Sequence, residues 1–243
     1  ALHGTHVAGI IGAIRNNSIG MDGVADHVKI MIVRAVPDGD ERDKDVANSI
    51  RYAVDNGAKI INMSFGKSYS PYKKAVDDAV LYAESKNVLI VHAAGNEAAN
   101  NDKEPNFPTA FVNGKRVSNW IEVGASDPRG NAASFSNYGK TSVDLFAPGL
   151  QIYSTLPFNK YGAESGTSMA SPVVAGVAAL VWSHYPRLSM SQLKSVLLSS
   201  ATPENTTTLK PGSSKKTVPF SSLSITGGII NAEKAMEAAS NIK

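Results

Sequence analysis

Residues 166–172 read Gly-Thr-Ser-Met-Ala-Ser-Pro and open an apolar run that continues to His184. The run is dense in alanine, glycine and valine, and small side chains allow neighbouring backbones to approach closely. It therefore predicts a long, buried helix from Ser168 to about His184, with Pro172 in the first turn, where a missing N–H group costs little. The rest of the chain must supply the elements that cover this helix.

Short β-branched runs alternate with helical patterns before this stretch. Most of the runs are apolar on both faces, as parallel strands covered by helices should be, which predicts strands at residues 29–36, 58–65, 88–94, 121–126 and 143–147. Apolar residues at helical spacing predict helices at residues 44–56 and 72–85. The alternation indicates an α/β fold with a mostly parallel central sheet and helices on both faces, whose sites form beyond the carboxyl ends of the strands.

The C-terminal part has a different pattern. A strand pair is predicted around residues 151–156, and closing helices at residues 191–199 and 232–239. Residues 203–228 are rich in serine, threonine, lysine and glycine and predict a surface excursion with a possible strand pair around residues 218–225. With 243 residues and 42% hydrophobic content, one domain over residues 1–243 is expected.

Composition excludes several classes of function. The net charge is +3, and acidic and basic residues are interspersed along the chain. No cluster of basic residues that would bind nucleic acid or anchor the chain to a membrane stands out. No apolar run reaches the roughly 18 to 20 residues needed to cross a bilayer. The chain has no cysteine, which removes thiolate nucleophiles, disulfides and cysteine-ligated metals.

Two distant strings carry reactive side chains: His-Gly-Thr-His-Val-Ala-Gly at residues 3–9, and the string at residues 166–172. A serine hydroxyl is a weak nucleophile at neutral pH, so acyl transfer requires a base nearby and donors aimed at the developing oxyanion. Ser168 would open the long helix, where the positive end of the helix dipole favours negative charge on its oxygen. His3, at a helix N-terminus, would tend to stay neutral, as a proton acceptor requires.

Each of these residues also has a simpler interpretation. Ser168 could be a helix-capping serine, and His3 with His6 has the spacing of a metal-binding pair, although no glutamate stands between them as in H-E-x-x-H. A third fragment, Ala-Ala-Gly-Asn-Glu at residues 93–97, follows an apolar strand and would supply an amide donor through Asn96. Asparagine after glycine is also a common turn residue.

With the three fragments in this order, the chain resembles the subtilisin-like serine proteases from residue 1 to about residue 240. The resemblance implies a three-layer subtilisin-like fold and a serine endopeptidase that acts on polypeptides through an acyl-enzyme. It places the nucleophile at Ser168, the general base at His3, and the oxyanion donors at Asn96 and the backbone N–H of Ser168. It also implies a secreted or cell-envelope location.

The catalytic acid of that family is not found in the sequence. In subtilisin-type enzymes the triad runs Asp, His, Ser along the chain, so with the histidine at position 3 the acid would precede residue 1. No Asp-Ser-Gly or Asp-Thr-Gly, the setting that the family uses, occurs here. We therefore expect an upstream segment or a separate chain to supply the acid, together with an inner N-terminal strand of the sheet. The chain alone is then a severely impaired enzyme, and the alternative is a catalytically silent peptide-binding pseudoprotease.

The resemblance also implies a substrate groove. Ser64, Phe65 and Gly66 form the extended edge on which a peptide lies as an added strand. Ala93, Ala94 and Gly95 line the wall of the S1 pocket, which favours a bulky apolar P1 residue. Glu97, near the pocket, and Glu164, just before the string that contains Ser168, could add a preference for basic residues.

A loop with the sequence Asn-Asn-Ser-Ile-Gly at residues 16–20 matches the loop that holds Ca²⁺ in many relatives. Oxygen ligands on a bent loop suit this hard cation. The resemblance makes the Asn17 side chain one ligand and the carbonyl groups of Arg15, Ile19 and Met21 the others. The alternative is an asparagine-rich turn without metal.

Overall fold

The computed structural model describes residues 2–37, 39 and 41–242. Six α-helices occur within these residues: α1 Leu2–Gly12, α2 Asp43–Asp55, α3 Lys73–Ser85, α4 Thr167–His184, α5 Met190–Ser199 and α6 Ala232–Ser240. Twelve strands accompany them: β1 Ile60–Met63, β2 Leu89–Ala93, β3 Phe111–Val112, β4 Lys115–Arg116, β5 Trp120–Ser126, β6 Leu145–Pro148, β7 Ile152–Leu156, β8 Lys160–Glu164, β9 Thr202–Pro203, β10 Thr207–Leu209, β11 Thr217–Pro219 and β12 Gly228–Ile229. Among the described residues, no helix is both long enough and apolar enough to span a membrane.

The central sheet has six strands in the order β1-β2-β5-β6-β12-β9. All neighbouring pairs are parallel except β12 with β9, so the prediction of a mostly parallel α/β sheet is confirmed. The hairpin of β7 and β8 lies outside this sheet and leads directly into α4. The reactive end of α4 is thereby brought to the carboxyl ends of the strands, where sites form in open α/β sheets.

Helices cover the sheet on both faces because successive side chains of a strand point to opposite sides. On β2, Leu89 and Val91 pack in the core cluster that contains α4, α5 and α6, whereas Ile90 packs in the cluster of α2 and α3. The small residues of α4 allow close contact as predicted. A Cβ atom on Gly176 would lie 2.7 Å from the Cβ of Val24, so the glycine is required for this approach.

The predicted strand at residues 29–36 is wrong. These residues have no regular secondary structure, and Ile30, Met31 and Ile32 are exposed. An extended segment becomes a strand only when a neighbour pairs with its backbone, and no pairing involves residues 29–36 in the described part of the chain. In the described part of the chain, β1 pairs only with β2, so its other edge is unpaired.

The possible strand pair around residues 218–225 also needs correction. Thr217–Pro219 forms β11, but it pairs with β10 rather than with the residues that follow it. Residues Phe220–Ser222 form a single 3-10 turn whose phenylalanine is fully buried, so the chain cannot continue there as a strand. The other predicted helices and strands occur with end shifts of a few residues.

Candidate active site

Ser168 is the second residue of α4 and is half-buried. Its Oγ donates to the carbonyl of Ser64 at 3.2 Å, and the Ser64 hydroxyl donates to the carbonyl of Ser168 at 2.9 Å. These reciprocal bonds hold residues 64–66 against the N-terminus of an 18-residue helix. The first N–H groups of a helix lack intrahelical partners, so this terminus suits developing negative charge.

Behind Ser168, a chain of side-chain hydrogen bonds crosses from α4 to β1. The hydroxyl of Ser171 donates to Asn62 Oδ1 at 2.7 Å, and Asn62 Nδ2 donates to the hydroxyl of Ser64 at 2.9 Å. The sequence motifs do not point to Ser171 or Asn62 as part of the site. The spacing of Ser168 and Ser171 on one helix face could have pointed to a shared polar partner.

Asn96 lies beside Ser168. Its Oδ1 accepts from the backbone N–H of Thr167 at 2.8 Å and from the Thr167 hydroxyl at 3.1 Å. A backbone N–H only donates, so these bonds fix the orientation of the carboxamide and leave Nδ2 as its outward donor. Within the described residues Nδ2 has no hydrogen-bond partner, and the side chain is exposed. Asn96 therefore presents a free N–H donor at the N-terminus of α4, where its carboxamide is held by the residue before Ser168.

His3 is the second residue of α1, and its side chain is exposed. The helix is fastened to β7, where Thr155 Oγ1 donates to the Thr5 carbonyl and Ser154 Oγ donates to the His6 carbonyl, both at 2.8 Å. Partial burial and the neighbouring His6 lower the pKa of His3, while Glu164 at the end of β8 acts in the opposite direction. His3 thus lies within electrostatic range of the hairpin that leads into α4.

His3 has no hydrogen bond to Ser168 among the residues that the structure describes. It does not form a metal pair with His6 either. The His6 ring is buried, with Nε2 3.2 Å from the Gly162 carbonyl, whereas the His3 ring faces solvent. No group of three or more metal-ligating side chains occurs in the described part of the chain.

The profile of the subtilase family matches residues 1–219. The chain belongs to the subtilase family. Thermitase of Thermoactinomyces vulgaris is 45% identical over 180 residues, which cover 74% of this subtilase and 60% of thermitase. Thermophilic serine proteinase of Bacillus sp. (strain AK1) is 45% identical over 180 residues but only 42% of that protein is covered. Subtilisin BL of Lederbergia lenta is 40% identical over 208 residues, covering 85% and 72% of the two chains.

Solved structures resemble this subtilase over nearly its whole length. The prenylagaramide maturation protease PagA superposes with a TM-score of 0.79 and 29% identity, covering 98% of this chain and 83% of that one. A cold adapted subtilisin-like serine proteinase gives a TM-score of 0.72 and 35% identity over 92% and 74% of the two chains. The subtilisin-like fold expected from the sequence is confirmed.

The two segments predicted to bind substrate flank Ser168 in this subtilase. Ser64, Phe65 and Gly66 follow β1 without strand pairing of their own. Across from them, the backbone N–H of Gly95 donates to Thr167 Oγ1 at 3.1 Å. Asn106 connects the two segments because it contacts Gly66 and donates to the Ala93 carbonyl at 3.1 Å.

Not every predicted pocket residue faces the site. The side chain of Ala94 is fully buried in a core cluster with Tyr138 and Phe146, which leaves only its backbone for contacts outside the core. The Glu97 carboxylate already accepts from the backbone N–H of Asn96 and from Asn137 Nδ2, both at 2.9 Å. The charge of Glu164, the last residue of β8, raises the pKa of His3.

The loop predicted to bind calcium is exposed and tightly turned, with positive φ angles of 57° at Asn16, 60° at Ser18 and 67° at Gly20. The Asn17 side-chain oxygen accepts from the N–H of Ile19 at 2.9 Å, which fixes its direction. This oxygen and the three predicted carbonyl groups make at most four ligands. Calcium takes six to eight oxygens, so these residues fit only part of a calcium shell.

Proposed function

We propose that this subtilase is a serine endopeptidase that hydrolyses peptide bonds through an acyl-enzyme on Ser168. The observation that carries the proposal is the carboxamide of Asn96, fixed on Thr167 beside a serine at the N-terminus of α4. The relatives named as thermitase and subtilisin support the same activity class.

In the proposed reaction, His3 accepts the hydroxyl proton while Ser168 Oγ attacks the carbonyl carbon of the scissile bond. Asn96 Nδ2 and the backbone N–H of Ser168 donate to the resulting oxyanion. The C–N bond then breaks and the leaving amine takes the proton from His3. Water hydrolyses the acyl-enzyme by the same steps in reverse order. Within this chain, burial and His6 lower the pKa of His3, which favours the neutral imidazole that accepts the proton.

We propose that the acid partner of His3 comes from residues outside this chain, either upstream in the same protein or in a separate chain. The family order of the triad supports this, as does the absence of any hydrogen bond between His3 and a carboxylate within the described residues. Without the acid, the chain alone should be severely impaired. The alternative of a silent peptide-binding protein is favoured by one contact, because the Ser168 hydroxyl donates to the Ser64 carbonyl rather than to an imidazole.

A fluorophosphonate probe tests the proposal, because it reacts only with a serine that has an activated hydroxyl. We expect labelling of Ser168 in the full-length protein, abolished in Ser168→Ala and strongly reduced in His3→Ala. A full-length protein that binds peptides but shows neither labelling nor hydrolysis would be the silent binding protein.

The proposed substrate is a polypeptide that lies as an added strand along Ser64, Phe65 and Gly66, with backbone pairing as the source of affinity. The small residues Ala93 and Gly95 support a bulky apolar P1 residue. Since the Glu97 carboxylate is already bonded, Glu164 is the carboxylate left to favour basic residues. Rates on matched peptides with phenylalanine or lysine at P1 test this, and a higher rate with lysine would contradict the apolar preference.

We further propose a calcium ion at the loop of residues 15–21, with Asn17 and the carbonyl groups of Arg15, Ile19 and Met21 among its ligands and the remaining ligands from water or from residues outside this chain. The expected result is a Tm of the full-length protein that rises with calcium and falls with chelator, and an Asn17→Ala variant in which this difference is much smaller. If the difference in Tm between calcium and chelator is unchanged in Asn17→Ala, calcium binding at this loop would be contradicted. A secreted or cell-envelope location is proposed from the family alone.

A further inference from the structure

The loop of residues 94–99 carries Asn96 but has no regular secondary structure. Its backbone N–H groups therefore need partners outside a helix or strand. The N–H groups of Glu97 and Ala99 both donate to one atom, Oδ1 of Asn137, each at 2.9 Å. The other end of the same side chain, Nδ2, donates to the Ala94 carbonyl and to the Glu97 carboxylate, again at 2.9 Å.

Asn137 is thus bonded on both sides of Asn96. Its side chain is only 2% exposed, and its own N–H donates to the Gly95 carbonyl at 2.9 Å. The approach is so close that a Cβ atom on Gly95 would lie 2.3 Å from Asn137 Nδ2, and Gly95 has a φ of +107°, which side chains rarely allow. The loop therefore fits around Asn137 rather than merely contacting it.

The contacts continue to Asn96 itself. The Glu97 carboxylate that Asn137 holds accepts from the backbone N–H of Asn96 at 2.9 Å. On the other side, Thr167 holds the Asn96 carboxamide. The backbone of Asn96 is fixed through Glu97 and Asn137, and its side chain is fixed through Thr167.

We propose that Asn137 is a positioning residue for the oxyanion donor of this enzyme. It touches neither substrate nor Ser168, and it acts by fixing the backbone from which Asn96 reaches the oxyanion. The inference rests on the proposed function, because it assumes that Asn96 stabilises the transition state. Since an oxyanion donor contributes only where its N–H points at the developing charge, a displaced loop lowers kcat more than it raises KM.

The test compares Asn137→Ala with a matched control, Asn101→Ala, in the full-length protein. Asn101 is also a buried asparagine, and its Nδ2 donates to the same Ala94 carbonyl at 2.8 Å, but no hydrogen bond links its side chain to residues 95–99. We expect Asn137→Ala to lower kcat about tenfold to a hundredfold with KM within about threefold, as for a small misplacement of a catalytic group. Asn101→Ala should lower Tm without changing kcat.

A double substitution separates positioning from general loss of structure. In an Asn96→Ala background there is no carboxamide left to position, so adding Asn137→Ala should change kcat by less than about twofold. The proposal is overturned if Asn137→Ala leaves kcat unchanged, if it lowers kcat equally in both backgrounds, or if Asn101→Ala causes the same loss.

Hydrogen exchange of the unsubstituted protein provides a readout that needs neither activity nor a variant. The amides of Glu97 and Ala99 should exchange as slowly as those of β2, although Glu97 lies in an exposed loop. Exchange at the rate of a free loop would refute the role of Asn137 even in an active enzyme. If exchange is slow but the protein has no peptidase activity, the hydrogen bonds of Asn137 stabilise the loop without serving catalysis. That result would reject both the positioning role and the proposed function.

Discussion

Thr167 connects the two sides of the proposed oxyanion site. Its hydroxyl donates to Asn96 Oδ1 and accepts from the N–H of Gly95, both at 3.1 Å, while its N–H provides the second bond to the carboxamide. The side chain is fully buried, so these bonds do not compete with solvent. Thr167, the residue before Ser168, thus fixes the direction of the Asn96 carboxamide.

Replacing Thr167 by valine tests this connection. Thr167→Val keeps the shape and the backbone N–H but removes the hydroxyl, so kcat should fall roughly tenfold. Asn96→Ala, which removes the donor itself, should cost about 10² to 10³ in kcat, the size known for a subtilisin. Thr208→Val is the control, because the buried Thr208 hydroxyl accepts from the N–H of Ala132 and has no hydrogen bond to Asn96, Gly95 or residues 167–168. Equal losses in Thr167→Val and Thr208→Val would contradict a specific role.

The pKa of His3 sets the acidic limb of the pH profile. Burial and His6 lower this pKa below its usual 6.5, and Glu164 raises it. In the proposed mechanism His3 must be neutral, so kcat/KM should rise with pH through the pKa of His3. Glu164→Gln removes the opposing charge, and the limb should move to lower pH. The pH dependence of kcat/KM in the unsubstituted protein and in Glu164→Gln checks this, and Glu233→Gln, at an exposed position, is the control. An acidic limb that moves to higher pH in Glu164→Gln would contradict the prediction.

At the scale of elements, Asp43 ties the first turn of α2 to the loop that follows the substrate edge. Its carboxylate pairs with Lys67 Nζ at 2.7 Å and accepts from Ser70 Oγ at 2.9 Å and from the N–H of Tyr72 at 2.7 Å. Burial alone would raise the pKa of Asp43, but the bonds from Lys67, Tyr72 and Ser70 outweigh burial and lower it. This carboxylate therefore stabilises the folded state when it is ionised.

Asp43→Asn should lower the free energy of unfolding at pH 7 by about 2 to 3 kcal/mol, because Lys67 loses its buried partner. The folded-state pKa is depressed, so the contribution is complete above the usual value of 3.8 and disappears as the pH falls through the lower folded value. Urea unfolding of the unsubstituted protein and of Asp43→Asn, at pH 7 and below pH 4, is the measurement. The difference between their free energies of unfolding should become smaller at the lower pH. Asp45→Asn, in the same turn of α2, should change stability by less than about 1 kcal/mol, and an equal loss there would refute the role of Asp43.

At the scale of the whole molecule, the sheet ends at β1 with an unpaired strand edge, and residues 29–36 belong to no strand of the described structure. Three neighbouring apolar side chains of that segment are exposed, Ile32 by 72%. An unpaired strand edge and a run of exposed apolar residues are each unfavourable in water. We expect one further strand, supplied from outside this chain, to pair with β1.

The prediction is that residues 1–243 alone differ from the full-length protein in both structure and rate. In a subtilisin, loss of the acid alone lowers turnover by about 3 × 10⁴, so the shorter chain should be slower by roughly this factor. Hydrogen exchange of the β1 amides should be slower in the full-length protein because the edge is then paired. Equal activity and equal exchange in the two proteins would show that no further strand or acid is needed.

The sequence alone was enough to predict the parallel sheet, the helices and the central position of α4. These features depend on the local periodicity of apolar residues and on the small side chains at residues 170–181. Both signals can be read from a short stretch of sequence without knowledge of its distant contacts. The sequence was also enough to predict Ser168, His3 and Asn96 as site residues, because each lies in a short sequence motif. It failed at residues 29–36, because β-branched residues favour a strand only if another strand is present to pair with it.

Only the tertiary structure decided which side chains hold the site in place. Asn62, Ser64 and Asn137 are far from Ser168 and Asn96 in sequence, and their hydrogen bonds arise from the register of β1 and from the course of the loop after β5. The sequence determined which groups are chemically reactive, since that depends on residue type and local conformation. The direction in which these groups point depends on partners that packing brings together from distant parts of the sequence. The bond between Asn137 and Glu97 spans 40 positions, and that between Ser64 and Ser168 spans 104.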